Sequence, residues 1–161
     1  MAEFALVRNR RSLLVVALGL ALISCQAEPA RDASGDIAEQ GELSVFRFRV
    51  GDCFNDPSSG LEVVTDVEAV PCSQAHDNEV FHLFDLPDGS YPDSATIDQH
   101  VLEECLPAFE TYVGTPYEIS ELYVVPITPT EESWAAADRE VVCALYADGA
   151  RLMGTMKGAR R

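Results

Sequence analysis

Five cysteines in a chain of 161 residues constrain the fold more than any other feature, and one of them stands apart. Cys25 directly follows the apolar run Leu13 to Ile23 (LLVVALGLALI), itself preceded by Arg8, Arg10 and Arg11. A bilayer-spanning helix needs roughly 20 apolar residues, so this run reads as the core of an export signal. Setting Cys25 aside leaves Cys53, Cys72, Cys105 and Cys143. An even set in an exported chain reads as two disulfides, with three connectivities open. The local pairing, Cys53–Cys72 and Cys105–Cys143, is the preferred reading. In the loop-entropy model these closures contribute roughly 3 and 4 kcal/mol. A zinc site would need a reducing compartment, and no CxxC pair favours one.

The four residues Leu22-Ile23-Ser24-Cys25 resemble the bacterial lipobox, whose cysteine is acylated and becomes the mature N-terminus. The alternative is ordinary cleavage after Ala27 or Ala30. Arg10-Arg11-Ser12-Leu13-Leu14 also resembles a twin-arginine signal. Each buried CH₂ adds about 0.8 kcal/mol, so two or three chains on Cys25 would hold the protein stably on the membrane's outer face. Removing Arg8, Arg10, Arg11 and Glu3 from 11 basic and 27 acidic side chains leaves 8 and 26, a formal charge of −18. Phosphate polymers repel such a surface, which excludes nucleic acid as a partner.

Three segments follow: residues 1–24 as lipoprotein signal peptide, 25–42 as tether, and 43–161 as one folded domain. Gln26 to Glu42 has few large apolar residues and reads as flexible. Its mean reach is roughly 20–25 Å. Leu43 to Arg161, 119 residues, suffices for one core. Ser44 to Val50 alternates, with Val45, Arg47 and Arg49 opposite Phe46, Phe48 and Val50, and predicts a half-buried strand. Leu61 to Val70 and Glu79 to Leu86 predict two more. Ile97, Val101, Leu102, Cys105, Leu106, Phe109 and Val113 recur at helical spacing, so one long helix runs from about Ser94 to Val113 and stops at Gly114. Glu121 to Ile127 predicts an edge strand weakened by Pro126. Glu140 to Tyr146 predicts a strong strand, turned at Asp148-Gly149, with Ala150 to Met156 returning. The fold class is α+β, an antiparallel sheet with one main helix packed on a face.

Gly51-Asp52-Cys53-Phe54, Val70-Pro71-Cys72 with His76 and Glu79-Val80, Tyr91-Pro92, Cys105, Trp134, Asp138-Arg139, Cys143 and Gly154 form an ordered series. From about Phe46 to Gly158 it resembles the septum-formation family of actinobacterial envelope proteins. The resemblance implies a membrane-anchored or secreted domain with a septal role in cell division, and it brings no catalytic residues or cofactor. The local cysteine pairing fits its cysteine order. The sequence departs from the pattern at Ala137, where the family has glycine before Asp-Arg, and this bears on the tight turn there.

Candidate chemistry concentrates at Pro71 to His82 (PCSQAHDNEVFH). His76, Asp77, Glu79 and His82 are zinc-type ligands, yet strand parity places Glu79 opposite the histidines, so metal is not expected. Asp52, His76 and Glu79 read instead as a structural corner, with His76 and Glu79 bonded to backbone around Cys72. A Cys72–His76 nucleophile would need a free thiolate. Asp85, Asp88 and Asp93 do not have calcium-loop spacing. Trp134 and Arg139 are candidate partner contacts, with Trp134 expected buried and Arg139 paired to a carboxylate. The basic tail, Arg151, Lys157, Arg160 and Arg161, is either a contact for an anionic partner or a frayed end.

The expectation is a lipid-anchored, extracytoplasmic, non-catalytic interaction module without cofactor, its partner an envelope or division protein. The alternative is a small-ligand- or metal-binding lipoprotein. A hydrolase would need a nucleophile, a base and oxyanion donors together, and no motif supplies them.

Overall fold

The computed structural model describes residues 28–57 and 63–161. The signal segment, Cys25 and the first residues of the strand expected from Leu61 lie outside them. Six antiparallel strands form one sheet: β1 (Gly41–Ser44), β2 (Cys53–Asn55), β3 (Asp66–Val70), β4 (Asn78–Asp85), β5 (Leu122–Ile127) and β6 (Glu140–Ala147). Their order is β1-β3-β2-β4-β6-β5. Helix α1 spans Ser94–Val113 and a short α2 spans Glu131–Ala135. The fold is α+β with one main helix and two disulfides, Cys53–Cys72 and Cys105–Cys143.

Alternation along β6 divides the core. Cys143 and Leu145 face α1 and pack with Phe81, Cys105, Phe109 and Val113. Val142 and Ala144 face the other way, onto Ile37, Leu43, Val45, Phe48 and Phe54. Burying each large apolar side chain contributes roughly 1.5–3 kcal/mol, so the helical spacing fixes where α1 docks. Asp93 caps α1 by accepting from Thr96 N–H at 2.8 Å, and Gly114 ends it in the left-handed region at φ 82°. Leu102, expected on the apolar face, is 58 % exposed. The bulge between Val80 and His82 sends Phe81 and His82 to the same side of β4.

Four expectations are corrected. Ser44 to Val50 is not a strand, because a 3₁₀ turn at Val45–Arg47 follows β1. A period of three brings Val45 and Phe48 into the core and leaves Phe46 and Val50 exposed. Phe48 then packs on Phe54, with ring centroids 4.8 Å apart. Secondly, the segment read as tether enters the fold. Arg31 bridges to Ile37, Ile37 is buried, and β1 begins at Gly41. Thirdly, Ala150 to Met156 does not return as a strand, although the turn at Gly149 is present. Leu152 instead forms a lone bridge with His76. The basic end is docked rather than frayed: Gly158 N–H bonds Tyr112 O at 2.7 Å and Arg160 N–H bonds Val113 O at 2.9 Å. The fourth correction concerns Glu79 and belongs to the site.

Candidate functional site

Two regions gather the functional side chains. The first is the corner around Cys53–Cys72. Gly51 N–H bonds Val80 O, and Val80 N–H bonds Asp52 O, so the loop before β2 is held against β4. The fully buried Asp52 carboxylate accepts from Arg31 at 2.5 and 2.8 Å and from Arg49 N–H at 2.8 Å. That bidentate bond, opposed by burial, raises the Arg31 guanidinium above its ordinary value. Sequence reasoning placed Asp52 in the corner but missed Arg31.

His76 lies outside β4, on its bridge to Leu152, and Nδ1 stands 2.8 Å from Gln74 O. This is the expected bond to backbone near Cys72. Nε2 is buried and has no hydrogen-bond partner among the described residues. Glu79 does not bond the backbone around Cys72. Its carboxylate accepts from Tyr112 Oη at 2.6 Å, Thr155 Oγ1 at 2.5 Å and Met156 N–H at 2.7 Å. One acid on β4 thereby ties α1 and the C-terminal segment to the sheet. Strand parity also fails here. Cys53 Sγ, a His76 ring nitrogen and a Glu79 carboxylate oxygen all lie within 4.8 Å of one another. Alternation applies only within a strand, and His76 precedes β4.

Burial first, and the bond to Glu79 second, hold the Tyr112 phenol above its ordinary value of 10.0. The folded state therefore retains that proton more tightly than the unfolded chain. The resulting stabilisation is complete below pH 10 and is lost as pH rises beyond it. Tyr112→Phe is expected to flatten this alkaline loss and to cost about 1–2 kcal/mol at neutrality. Urea unfolding across the alkaline range measures both.

The second region is the end of α2. Trp134 is buried with Leu86, Ile97 and Val141, and its Nε1 donates to Gly89 O at 3.1 Å. The Arg139 guanidinium lies 3.7 Å from the indole centroid and bonds Asp88 at 3.3 Å, as well as the carbonyls of Trp134 and Asp138. Neither residue is a free anchor. Beside Trp134 runs an open groove of about 780 Å³ that Arg139 helps to line. Its apolar lining includes Phe46, Val64, Ile127 and Val142, and its acids are Asp85, Glu132, Asp138 and Glu140. Asp85 and Glu140 are direct cross-strand partners, an unfavourable placement for like charges. Burial first, then Asp85 and Asp138, raise the Glu140 carboxyl above its ordinary value.

Helix α2 ends in a Schellman pattern: Asp138 N–H bonds Ser133 O and Ala137 N–H bonds Trp134 O, each at 3.0 Å. The pattern places Ala137 at φ 70°, the left-handed conformation in which glycine avoids the Cβ penalty. The departure at Ala137 thus falls on a position that does require the turn. A side chain there costs about 1–2 kcal/mol, partly offset by the lower unfolded-state entropy of alanine. Ala137→Gly is expected to stabilise the domain by about 0.5–1 kcal/mol, read as a higher urea midpoint at unchanged m-value.

The corner's cysteines are oxidised, and each of its two buried acids accepts three hydrogen bonds. Together with the sheet-and-helix frame, these features define a disulfide-stapled α+β domain whose conspicuous polar residues hold structure. The chain belongs to the septum-formation family, whose model matches residues 26–158. That match begins within the stretch read as tether, in agreement with the packing of Ile37 and Arg31. No curated protein and no solved structure matches the chain. No helix among the described residues is long and apolar enough to cross a membrane.

Proposed function

We propose that this septum-formation domain is a lipid-anchored, extracytoplasmic interaction module without catalytic activity, held to the membrane through Cys25. The groove beside α2 carries this reading. An apolar floor edged by Asp85, Glu132 and Glu140 fits a protein segment that presents apolar side chains beside lysine or arginine. A cation there would relieve the like-charge contact of Asp85 and Glu140. The partner is then an envelope or division protein with such a segment.

Two experiments test the anchor and the role. Cys25→Ala is expected to release the protein from the membrane fraction, and retention there would overturn the lipid anchor. A fluorescent fusion is expected to concentrate at division sites. Uniform distribution, with normal division after deletion, would contradict the septal role.

The groove also supports a second reading, a small-ligand-binding lipoprotein, because its volume falls within the range of ligand pockets. Native mass spectrometry of protein purified from its own cells separates the two. A retained small molecule would favour the second.

A further inference from the structure

We propose that the Cys53–Cys72 corner becomes a closed zinc site when its disulfide is reduced, with Cys53, Cys72, His76 and Glu79 as the ligand set. The proposal is independent of the partner groove and rests on three observations. Cys53, His76 and Glu79 already bring a sulfur, a ring nitrogen and a carboxylate oxygen within 4.8 Å of one another. Cys72 is joined to Cys53, so reduction leaves a second thiol beside the first, outside the group of three and brought to it by rotation of the freed side chain. His76 Nε2, on a fully buried side chain, has no hydrogen-bond partner among the described residues, whereas the other ring nitrogen lies at hydrogen-bond distance from Gln74 O. A lone pair without a partner in a dry site is poised for a metal ion.

The donor set suits zinc. Two thiolates, one imidazole and one carboxylate match its preference for mixed sulfur, nitrogen and oxygen donors in a tetrahedron. Four protein ligands would fill the tetrahedron and leave no open position for water or substrate, so the site is structural in type. Glu79 Oε2 accepts only Met156 N–H among the described residues and keeps a lone pair for the ion.

The chemistry balances with a dithiol or a phosphine as reductant. A dithiol gives two electrons and two protons to the Cys53–Cys72 bond and is itself oxidised to a disulfide. A phosphine takes up the oxygen of one water as phosphine oxide and leaves the same two thiols. Zinc then displaces the two thiol protons. Attack is favoured at this bridge, because Cys72 is half-buried while Cys105 and Cys143 are wholly buried. The corner that joins β2 to β4 thereby keeps a cross-link in either redox state.

The test uses the full chain, treated with a phosphine until peptide mapping shows Cys53–Cys72 open and Cys105–Cys143 intact. Cobalt(II) serves as the spectroscopic probe. The expected result is one cobalt per chain, with thiolate charge-transfer and tetrahedral ligand-field bands that zinc abolishes and that the oxidised chain does not give. His76→Ala and the bulkier His76→Gln are each expected to weaken cobalt binding at least tenfold. If reduction unfolds the chain, zinc is expected to restore the folded circular dichroism spectrum. Absence of the thiolate–cobalt band, cobalt affinity in both His76 variants equal to that of the native chain, or failure of zinc to refold an unfolded reduced chain would overturn the site.

Discussion

Glu79→Ala is expected to destabilise the domain by about 3–5 kcal/mol. The side chain is wholly buried at the junction of three elements. Its removal leaves the Tyr112 hydroxyl and the Met156 amide without an acceptor, both in dry surroundings. Thr155 is exposed, so its hydroxyl recovers a bond to water and adds little. Glu79→Gln keeps the volume but turns an amide NH₂ toward one of those donors, and is expected to cost about 2–4 kcal/mol. Urea unfolding supplies the magnitudes. Hydrogen exchange supplies a local signature, since the amides of Met156, Gly158 and Arg160 all lie in the segment that Glu79 anchors. Faster exchange at these amides is expected before the rest of the sheet opens. A loss below 1 kcal/mol, with exchange unchanged, would show that Glu79 does not hold the C-terminal segment.

Removing the second disulfide is expected to have a similar effect by another route. Cys105 on α1 and Cys143 on β6 are 38 residues apart with Cα atoms 5.8 Å from each other. Opening that loop in the unfolded chain costs the folded state about 4 kcal/mol. For a domain whose total stability is about 5–15 kcal/mol, the double variant Cys105→Ala/Cys143→Ala is expected to be marginal at physiological temperature. Cys53–Cys72 closes a shorter loop of 19 residues, and its loss is expected to cost about 3 kcal/mol. Equilibrium unfolding of both double-alanine variants without reductant checks the ranking. A larger loss at Cys53–Cys72 than at Cys105–Cys143 would contradict it.

Much of this architecture was legible because a few residues act locally. Helix α1 announces itself through apolar spacing from Ile97 to Val113 that stops at Gly114. β4 and β6 read as strands because each is a run of eight residues rich in apolar and β-branched or aromatic side chains, with β6 buried on both faces. Ala137 stood out against the family pattern and proved to occupy the left-handed position of a Schellman turn.

The misreadings share a cause. Alternation in Ser44 to Val50 satisfied a strand template, while the packing needed only Val45 and Phe48, three residues apart. Average composition concealed the anchoring of the N-terminal stretch, because one isoleucine and one arginine supply most of it. Parity separated Glu79 from His76 only on the assumption that both lie in one strand. Glu79 and Tyr112 are 33 residues apart, and Arg31 and Asp52 are 21 apart. No sequence period reports pairings of that range. Helix α2 is five residues long, too short for an apolar period to mark it. Its position brings Trp134 and Arg139 beside the acidic groove.

The interaction reading is tested most directly by placing a photo-crosslinking residue at Phe46, which is 55 % exposed and lines the groove, in living cells. Ile119, 74 % exposed and outside the groove, serves as the control position. Mass spectrometry of the adduct at position 46 is expected to identify one envelope protein, joined through a segment with lysine or arginine beside apolar residues. The adduct is expected to disappear when Glu140→Lys reverses the rim charge. An adduct no stronger at position 46 than at position 119, or one indifferent to Glu140→Lys, would contradict a partner in the groove.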